Sequence, residues 1–343
     1  MKILTIVGAR PQFVKAAVVS RAIRENDHMS EVMLHTGQHF DADMSAIFFN
    51  ELGIPEPAHH LHIHGGSHGD MTGRMLAALE PVLMTERPHW VVVFGDTNST
   101  LAGALAAAKL NIPIAHVEAG LRSYNRNMPE EINRVVTDHV STLHLCPTQT
   151  AVANLAKEGI RENVHDVGDV MYDASLFALK QLPRTSIVHD LKLQPGKYAV
   201  ATVHRAENTD DPIKLKSIIN YLVECGREAP IVLPLHPRTR RAAERSEISL
   251  KGLLVIEPLG YLDMAWLLSG ACGVYTDSGG LQKEAYFHRV PCVTLRSETE
   301  WVETIGHGWN RLWSQQHYLP RREISEYGDG RAGQKIIDLL KKT

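Results

Sequence analysis

The sequence lacks the features that mark several large classes of proteins. No apolar run approaches the ~20 residues that a membrane-spanning helix requires, and no basic stripe with interleaved aromatic residues indicates a nucleic-acid surface. The charges nearly balance, because 36 Lys and Arg face 39 Asp and Glu, for a formal net charge of -3. We therefore expect no membrane and no nucleic acid among the partners of this protein.

Cysteine is scarce and scattered along the chain. The four cysteines are Cys146, Cys225, Cys272 and Cys292. No two of them form a CxxC pair, which favours free thiols over disulfides. The segment KILTIVG follows Met1 directly, so we expect no signal peptide. Both features are typical of a reducing compartment and predict a cytoplasmic protein.

The chain is long enough for two domains. Its 343 residues suit two cores of roughly 150 residues each, and strand-like runs alternate with helical patterns in both halves, which is typical of parallel sheets. We predict an α/β protein with two Rossmann-like domains facing across a cleft. Because a softer segment, 180–197, interrupts the pattern, the predicted domains are 1–168 and 169–331. The final helix, 332–342, is a candidate to pack back on the first domain.

The alternation predicts individual elements in both halves. The predicted strands are Lys2–Val7, Glu31–His35, Trp90–Phe94, Pro113–Val117, Leu143–Cys146, Val164–Val167, Tyr198–Val203, Ile231–Leu235, Leu253–Ile256, Gly273–Thr276 and Cys292–Leu295. The predicted helices of the first half include Pro11–Arg24, Asp43–Leu52, Met71–Thr85 and Ser99–Lys109. Because ligands bind at the carboxyl ends of parallel strands, polar residues at those ends are the candidate site.

Acidic residues end two neighbouring strands between Val91 and Arg134. Asp96 ends one strand and Glu118 ends the next, while Glu130 and Arg134 lie in the first turns of the helix that follows. Such acids are also ordinary helix caps, but the run TNST after Asp96 supplies other capping side chains and no helix follows Glu118 directly. Taken together, these residues indicate acid/base chemistry.

Two turns between a strand and a helix are candidate anion sites. The turn GARPQ points backbone N–H groups at a helix start, and Arg10 and Lys15 add positive charge. A purely structural turn explains this segment equally well.

The second candidate turn lies in YTDSGGLQKEA. Ser278, Gly279 and Gly280 follow a strand and open a helix, and the glycines allow a close approach of backbone to an anion. Glu284, one helical turn further, suits the hydroxyls of a ribose, and Tyr261 in the upstream loop PLGY suits a base. The arrangement predicts a nucleotide diphosphate site.

Histidines cluster in two places. In HHLHIHGGSHGD, alternation would put His60, His62 and His64 on one face of a strand, as metal ligands are placed. No further ligand motif completes such a site, so we predict a surface or gating loop and no metal. In HRAEN, His204 follows a strand, where it serves either as a proton carrier or phosphate donor or as a structural group.

The sequence predicts a nucleotide site in one α/β domain and a group of acids in the other. This arrangement is suited to binding a sugar nucleotide, and a transferase, a hydrolase and an isomerase would all fit it. Inversion of a sugar carbon without oxidation needs proton removal on one face and proton delivery on the other, and therefore at least two acid/base groups. The several acids of the first half favour the isomerase.

A set of motifs in a fixed order carries a family resemblance. The motifs are GARPQ, GDTNST, HVEAGLRS, PEEINR, VGDVMYDA, HRAEN and TDSGGLQKEA. They resemble those of the non-hydrolysing UDP-N-acetylglucosamine 2-epimerase family. The resemblance implies a GT-B fold, a homodimer, and a reaction that needs neither metal nor nicotinamide. It also implies elimination of UDP to a glycal and its re-addition after protonation on the other face.

The resemblance also implies roles for individual residues. Acid/base roles fall to Asp96, Glu118 and Glu130. Arg134 would orient these acids, and His204 would lie near the diphosphate. The positions that match the UDP-binding residues of the family are Arg10, Ser278, Gly279 and Glu284.

Some segments depart from the common pattern of the family. Trp301-Val302 replaces an Arg-Pro pair, and the loop before Pro129 is shorter and contributes Arg126. The chain looks similar to a subfamily that epimerises UDP-2,3-diacetamido-2,3-dideoxy-glucuronate for O-antigen or related polysaccharides. Arg126 is our candidate partner for the carboxylate of that sugar. The alternatives are a UDP-N-acetylglucosamine 2-epimerase, a hydrolysing relative and a non-catalytic UDP-sugar binding protein.

Overall fold

The computed structural model describes residues 1–38, 51–181 and 187–342. The chain divides into two compact units, of which the first comprises Met1–Ala174 with Ser325–Thr343 and the second Ser175–Ile324. The predicted second domain, 169–331, differs from this division at both ends. The segments at the two ends contact each other through a backbone hydrogen bond of 3.0 Å from the N–H of Asp169 to the carbonyl of Tyr327, and the following helix lies against the first helix of the chain, where Gly333 approaches Val18.

The elements of the first unit alternate almost regularly. In chain order they are β1 (Lys2–Val7), α1 (Arg10–Arg24), β2 (Ser30–His35), β3 (His59–His60), α2 (His68–Glu86), β4 (Trp90–Phe94), α3 (Asn98–Lys109), β5 (Ile114–Val117), α4 (Pro129–Val140), β6 (Leu143–Cys146), α5 (Gln149–Lys157), β7 (Val164–Asp166) and α6 (Val170–Lys180). Helix α6 continues across the boundary between the units.

The second unit repeats this alternation. Its elements are α7 (Ile187–Asp190), β8 (Ala199–Thr202), α8 (Ala206–Thr209), α9 (Pro212–Cys225), β9 (Ile231–Pro234), α10 (Pro237–Arg245), β10 (Leu254–Ile256), α11 (Tyr261–Ser269), β11 (Gly273–Thr276), α12 (Gly279–Phe287), β12 (Cys292–Thr294), α13 (Val302–Gly306) and β13 (Asn310–Leu312). A 3₁₀ turn (Ser325–Tyr327) and α14 (Ala332–Lys342) return to the first unit.

Each unit contains one parallel sheet. The first sheet has seven strands in the order β3-β2-β1-β4-β5-β6-β7, and the second has six in the order β10-β9-β8-β11-β12-β13. Strands such as β4 are buried along their whole length, because the helices of a doubly wound fold cover both faces of the sheet. The predicted α/β class with two Rossmann-like sheets is confirmed.

The core of the first unit forms between its sheet and helices α2 and α3. Leu4 and Val91 of adjacent central strands contact Leu79 of α2 and Ala102 of α3 in one buried cluster. On the other face, the C-terminal helix packs on α1, where Gly333 lies against Val18. The sheet is therefore held rigidly enough to position the turns at its carboxyl edge.

The His-rich segment and the end of the second sheet show details that alternation in the sequence does not predict. Only His59–His60 form a strand in the His-rich segment, and His62 has a left-handed backbone with φ of 54°. The rings of His35, His60 and His62 stack instead, with successive centroids 4.3 and 4.1 Å apart. Strand β13 was not predicted at all. In the predicted helix Asp43–Leu52, residues 43–50 lie outside the described residues.

Metal sites and membrane-spanning helices can be assessed over the described part of the chain. No group of three His, Cys, Asp or Glu side chains in residues 1–38, 51–181 and 187–342 is arranged to hold a metal ion. In the same part of the chain, no helix is both long enough and apolar enough to cross a lipid bilayer.

Candidate active site

The order of strands reverses once in each sheet, and ligands of doubly wound folds bind at such points. In the first sheet the reversal lies between β1 and β4, so the turn at Arg10 and the turn at Asp96 are neighbours. In the second sheet it lies between β8 and β11, which brings together His204 and the turn at Ser278. The predicted site residues thus concentrate at the central strand ends of both sheets.

Glu118 forms an ion pair with Lys15. The Nζ of Lys15 contacts Oε2 of Glu118, and the two side chains are only 11% and 8% exposed. Glu118 itself has a φ of 73°, a left-handed conformation that is uncommon for residues other than glycine. We predicted Lys15 as an anion-binding residue, and the anion that its Nζ contacts here is the carboxylate of Glu118.

Asp96 is paired with Arg134 of α4. The distance from NH2 of Arg134 to Oδ2 of Asp96 is 2.5 Å, and NH1 of the same guanidinium lies 2.9 Å from Glu131. Burial opposes the charge of Arg134, but the nearby carboxylates of Asp96, Glu131 and Glu118 raise its pKa above the ordinary value. The structure therefore brings Asp96, Arg134 and Glu118 together in one electrostatic cluster.

Glu130 and Glu131 are adjacent but have different surroundings. Glu130 is half-buried in the first turn of α4 and forms no ion pair with another described residue. Glu131 is buried and accepts hydrogen bonds from Ser123 and Tyr124. Burial alone would raise the pKa of Glu131, but these hydrogen bonds and the charge of Arg134 hold that pKa below its usual range. Our sequence analysis missed Glu131, because two consecutive acids give no sign of which one faces inward.

Arg126 lies in the loop before α4. It is exposed and has no ion-pair partner within the described part of the chain. The neighbouring Ser123 and Tyr124 donate to Glu131. The loop backbone is thus anchored three residues before Arg126, while its guanidinium faces solvent.

The first turn is closed by a side chain of its own helix. The N–H groups of Gly8 and Ala9 donate to Oε1 of Gln12 at 2.8 and 3.1 Å, so they are already satisfied. This favours the structural interpretation of the GARPQ amides over an anion cradle. Arg10 lies at the start of α1 and is partly exposed.

The turn after β8 is organised by a residue that sequence analysis did not single out as functional. Asp277 is completely buried and accepts hydrogen bonds from the N–H groups of His204 and Arg205, at 2.9 Å, and from Asn208 at 3.0 Å. The imidazole of His204 remains partly exposed, with its ring centroid 5.4 Å from that of His236. Asp277 thus fixes the backbone of His204 and leaves its ring accessible.

The turn after β11 opens helix α12. The side chain of Ser278 makes no capping hydrogen bond, so the N–H groups of the first helical turn have no partner within the helix. A Cβ at position 279 would lie 2.1 Å from Oε1 of Glu300, so a larger residue there would displace the Glu300 carboxylate. Gly280 is exposed and Glu284 is half-buried one turn later. These features suit an anion beside a hydroxyl-bearing group.

Charged residues surround this turn. Arg296 is buried and pairs with Glu300 at 2.9 Å and with Glu207 at 3.0 Å. Burial opposes the ionisation of Glu300, but Arg296 and Arg205 hold its pKa below the ordinary value. Tyr261 is buried at the first position of α11. The predicted nucleotide-site residues therefore all lie in the second unit except Arg10 and Lys15.

Two parallel sheets, each with polar turns where its strand order reverses, define a two-unit Rossmann-type α/β protein. A family model described as UDP-N-acetylglucosamine 2-epimerase matches residues 21–341. The chain belongs to this family, whose members are isomerases that act on UDP-sugars.

Individual relatives match over their whole length. The chain is 53% identical over 358 residues to the UDP-2,3-diacetamido-2,3-dideoxy-D-glucuronate 2-epimerase of Pseudomonas aeruginosa, with 100% of both chains covered. A crystal structure of the Methanocaldococcus jannaschii UDP-GlcNAc 2-epimerase in complex with UDP-GlcNAc and UDP superposes with a TM-score of 0.89 at 38% identity, covering 100% of each chain. The Neisseria meningitidis UDP-GlcNAc 2-epimerase bound to UDP-GlcNAc gives 0.90 at 29% identity, again with 100% of each chain covered. The expected family and GT-B type of fold are confirmed.

Proposed function

We propose that this protein inverts C2 of UDP-2,3-diacetamido-2,3-dideoxy-D-glucuronate to give the manno epimer. The observation that carries the choice of sugar is the 53% identity, over the full length of both chains, to the Pseudomonas aeruginosa enzyme of that name. The product would serve the synthesis of a surface polysaccharide such as an O-antigen.

The proposed reaction proceeds by loss and re-addition of UDP. The C2 proton of an N-acetylated hexosamine is not acidic enough for simple removal and return by a carboxylate. Expulsion of UDP from C1 while a base takes the C2 proton avoids a carbanion and gives a glycal. Protonation of C2 on the opposite face, with return of UDP to C1, completes the inversion. Such an elimination needs a bound leaving group and two acid/base groups.

The acid/base groups we propose are Asp96, Glu118 and Glu130. Two of them are paired with cations, Glu118 with Lys15 and Asp96 with Arg134, an arrangement that supports a carboxylate ready to accept a proton. Glu130 is half-buried in the first turn of α4 and has no such partner among the described residues.

The UDP group is assigned to polar turns and their neighbours. The residues proposed to bind it are Arg10, Lys15, Tyr261, Ser278, Gly279, Gly280 and Glu284. The open N-terminus of α12 supports a place for a phosphate there. His204 is proposed to donate to the departing diphosphate oxygen, because Asp277 holds its backbone while its ring stays partly exposed.

Arg126 is proposed to recognise the carboxylate at C6 of the uronate. Its exposed guanidinium on an anchored loop supports this role, since a guanidinium and a carboxylate can form a bidentate pair. Replacement of Arg126 by Ala should lower turnover of the uronate more than turnover of UDP-N-acetylglucosamine. Equal losses for both substrates would remove Arg126 from the specificity of the site.

An NMR time course in D2O tests the proposed reaction. UDP-2,3-diacetamido-2,3-dideoxy-D-glucuronate should gain the manno signals together with deuterium at C2. UDP-N-acetylglucosamine is the second candidate, because the chain is also 51% identical to a UDP-N-acetylglucosamine 2-epimerase homolog of Methanococcus maripaludis. Preferred conversion of UDP-N-acetylglucosamine would overturn the uronate assignment, and exchange in neither sugar would favour a non-catalytic binding protein.

We further propose a homodimer that works in the cytoplasm. All four cysteines are free, which supports a reducing compartment, and the family resemblance supports the dimer. Sedimentation equilibrium of the purified protein should give twice the mass of the 38.2 kDa chain. A monomer at micromolar concentration would contradict the proposed assembly.

A further inference from the structure

Helix α4 carries a stripe of ionisable side chains on its buried face. Glu131, Arg134 and Asp138 follow one another at intervals of three and four residues, which places them on the same side of a helix. The first two reach the loop at Ser123 and the carboxylate of Asp96. Asp138, one turn further, is completely buried and has no direct contact with Asp96 or Glu118.

The carboxylate of Asp138 binds three groups from two neighbouring segments. Its Oδ1 lies 2.7 Å from Nδ1 of His116. Its Oδ2 accepts two hydrogen bonds, from the N–H of Gly120 at 3.1 Å and from Nη1 of Arg122 at 2.7 Å. The other ring nitrogen of His116, Nε2, lies 2.7 Å from the carbonyl oxygen of Gly95.

Both nitrogens of His116 therefore face acceptors. Burial alone would raise the pKa of Asp138, but the charges of His116 and Arg122 hold it below the ordinary range. His116 and Asp138 thus form a completely buried, hydrogen-bonded pair in the interior of the first unit.

This pair is connected to both candidate acids through the backbone. Gly95 immediately precedes Asp96 and has a φ of 62°, so the hydrogen bond from His116 fixes the turn that directs the Asp96 side chain. Gly120 follows Glu118 by two residues, so its bond to Asp138 fixes the second turn.

We propose that Asp138 and His116 are positioning residues that hold Asp96 and Glu118 at the separation the epimerisation requires. This inference rests on the proposed acid/base roles of Asp96 and Glu118. A misplacement of about 1 Å in a catalytic group can cost about 100-fold in rate. Loss of the positioning residues should therefore lower kcat more than it lowers substrate affinity.

Two substitutions of His116 separate its two hydrogen bonds. In His116→Gln the amide can reach the position of Nε2 and keep the bond to Gly95, whereas in His116→Asn it can reach the position of Nδ1 and keep the bond to Asp138. Together with Asp138→Asn, these variants are compared with wild type for kcat, KM, UDP affinity and the midpoint of thermal unfolding. Asp173→Asn is the matched control, because Asp173 also accepts a backbone N–H, from Gly333, in the same unit.

We expect kcat to fall about 10- to 100-fold in Asp138→Asn and His116→Asn, with UDP affinity within about 3-fold of wild type. His116→Gln should recover part of the loss, and Asp173→Asn should keep kcat. An unchanged kcat in Asp138→Asn would overturn the proposal. So would a fall in kcat that is accompanied by an equal fall in UDP affinity, or that is equally large in Asp173→Asn. If Asp138→Asn does not fold, the comparison of His116→Asn with His116→Gln decides it. Activity of the wild type is measured first, so failure of the proposed function is seen independently.

Discussion

Gln12 donates a hydrogen bond from Nε2 to the carbonyl oxygen of Phe94, with a distance of 2.8 Å between the two atoms. Gln12 lies in the first turn of α1, directly after β1, and Phe94 is the last residue of β4. This bond therefore joins the two strand ends between which the first sheet reverses its order. Through Oε1, the same side chain also satisfies the N–H groups of Gly8 and Ala9.

Replacement of Gln12 by Ala should destabilise the first unit. The substitution leaves the buried N–H groups of Gly8 and Ala9 without this partner, and one such group costs about 1–3 kcal/mol. The carbonyl of Phe94 loses one of its two donors and keeps the hydroxyl of Thr100. We expect the free energy of unfolding in urea to fall by about 3 kcal/mol or more. Gln194→Ala, at an exposed position, is the control and should change stability by less than about 0.5 kcal/mol. Equal stability of the two variants would show that the bond to Phe94 contributes little.

Neutralisation of the paired acids should remove activity and retain UDP binding. In Asp96→Asn and Glu118→Gln the side chains keep their size but lose the charge that accepts a proton, so we expect kcat to fall by about 100-fold or more. UDP affinity, measured by calorimetry, should change little because the residues proposed for UDP lie mainly in the second unit. Glu80→Gln, an exposed acid on α2, is the control. Retention of more than a tenth of wild-type kcat in Glu118→Gln would exclude Glu118 as the base or acid.

The arrangement of the sheets could be predicted from sequence because it depends on local apolar runs. The predicted Lys2–Val7 and Trp90–Phe94 coincide with β1 and β4, since fully buried parallel strands are continuously hydrophobic. Strand β13 was missed because its three residues, Asn310–Leu312, include two polar side chains.

The partners of site residues could not be predicted in the same way. Asn208 and Asp277 are hydrogen-bonded although 69 residues separate them in sequence, and Glu131 is distinguished from Glu130 only by the loop that folds over it. Such contacts arise from tertiary packing, which a local pattern does not encode. In the His-rich segment, the left-handed backbone at His62 ends the strand that alternation alone would continue, and residues 61–65 form a loop.

The buried side chains of Trp301 and Lys283 form a cation–π contact. The Nζ of Lys283 lies 3.8 Å from the centroid of the Trp301 ring, and the two residues are only 2% and 6% exposed. A desolvated cation–π contact is worth about 2 kcal/mol, so a double-mutant cycle with Trp301→Leu and Lys283→Met should give a coupling energy of about 1–2 kcal/mol. Trp301→Arg should destabilise more than Trp301→Leu, because it places a second cation beside Lys283.

A weaker pair in the same unit provides the comparison for this cycle. The Cζ atom of Arg321 lies 5.1 Å from the ring centroid of Trp309, and Arg321 is exposed. The coupling energy between these two residues should therefore stay below about 1 kcal/mol. Equal coupling energies for both pairs would contradict a special contribution of the buried contact. Thermal or urea unfolding of the eight proteins, read by tryptophan fluorescence and by circular dichroism, supplies the data.

Acid should destabilise the second unit through His288, at the C-terminal end of α12. Burial lowers the pKa of His288 to about 4, whereas an unfolded histidine titrates near 6.5. The unfolded chain therefore binds a proton before the folded protein does, so the stabilisation is complete above about pH 6.5 and is lost as pH falls from about 6.5 to about 4, by up to about 3 kcal/mol.

The difference in unfolding free energy between wild type and His288→Gln should accordingly shrink as pH is lowered over this range. A difference curve is needed because Glu31 and Asp173, whose pKa values are raised by burial, titrate with the opposite sign in both proteins. His189 has a side chain that is 95% exposed, so His189→Gln should show the same dependence of unfolding free energy on pH as the wild type. Urea unfolding at several pH values from about 7.5 to about 4.5 measures all three proteins. A constant difference between wild type and His288→Gln would mean that His288 becomes protonated in the folded protein as readily as in the unfolded chain.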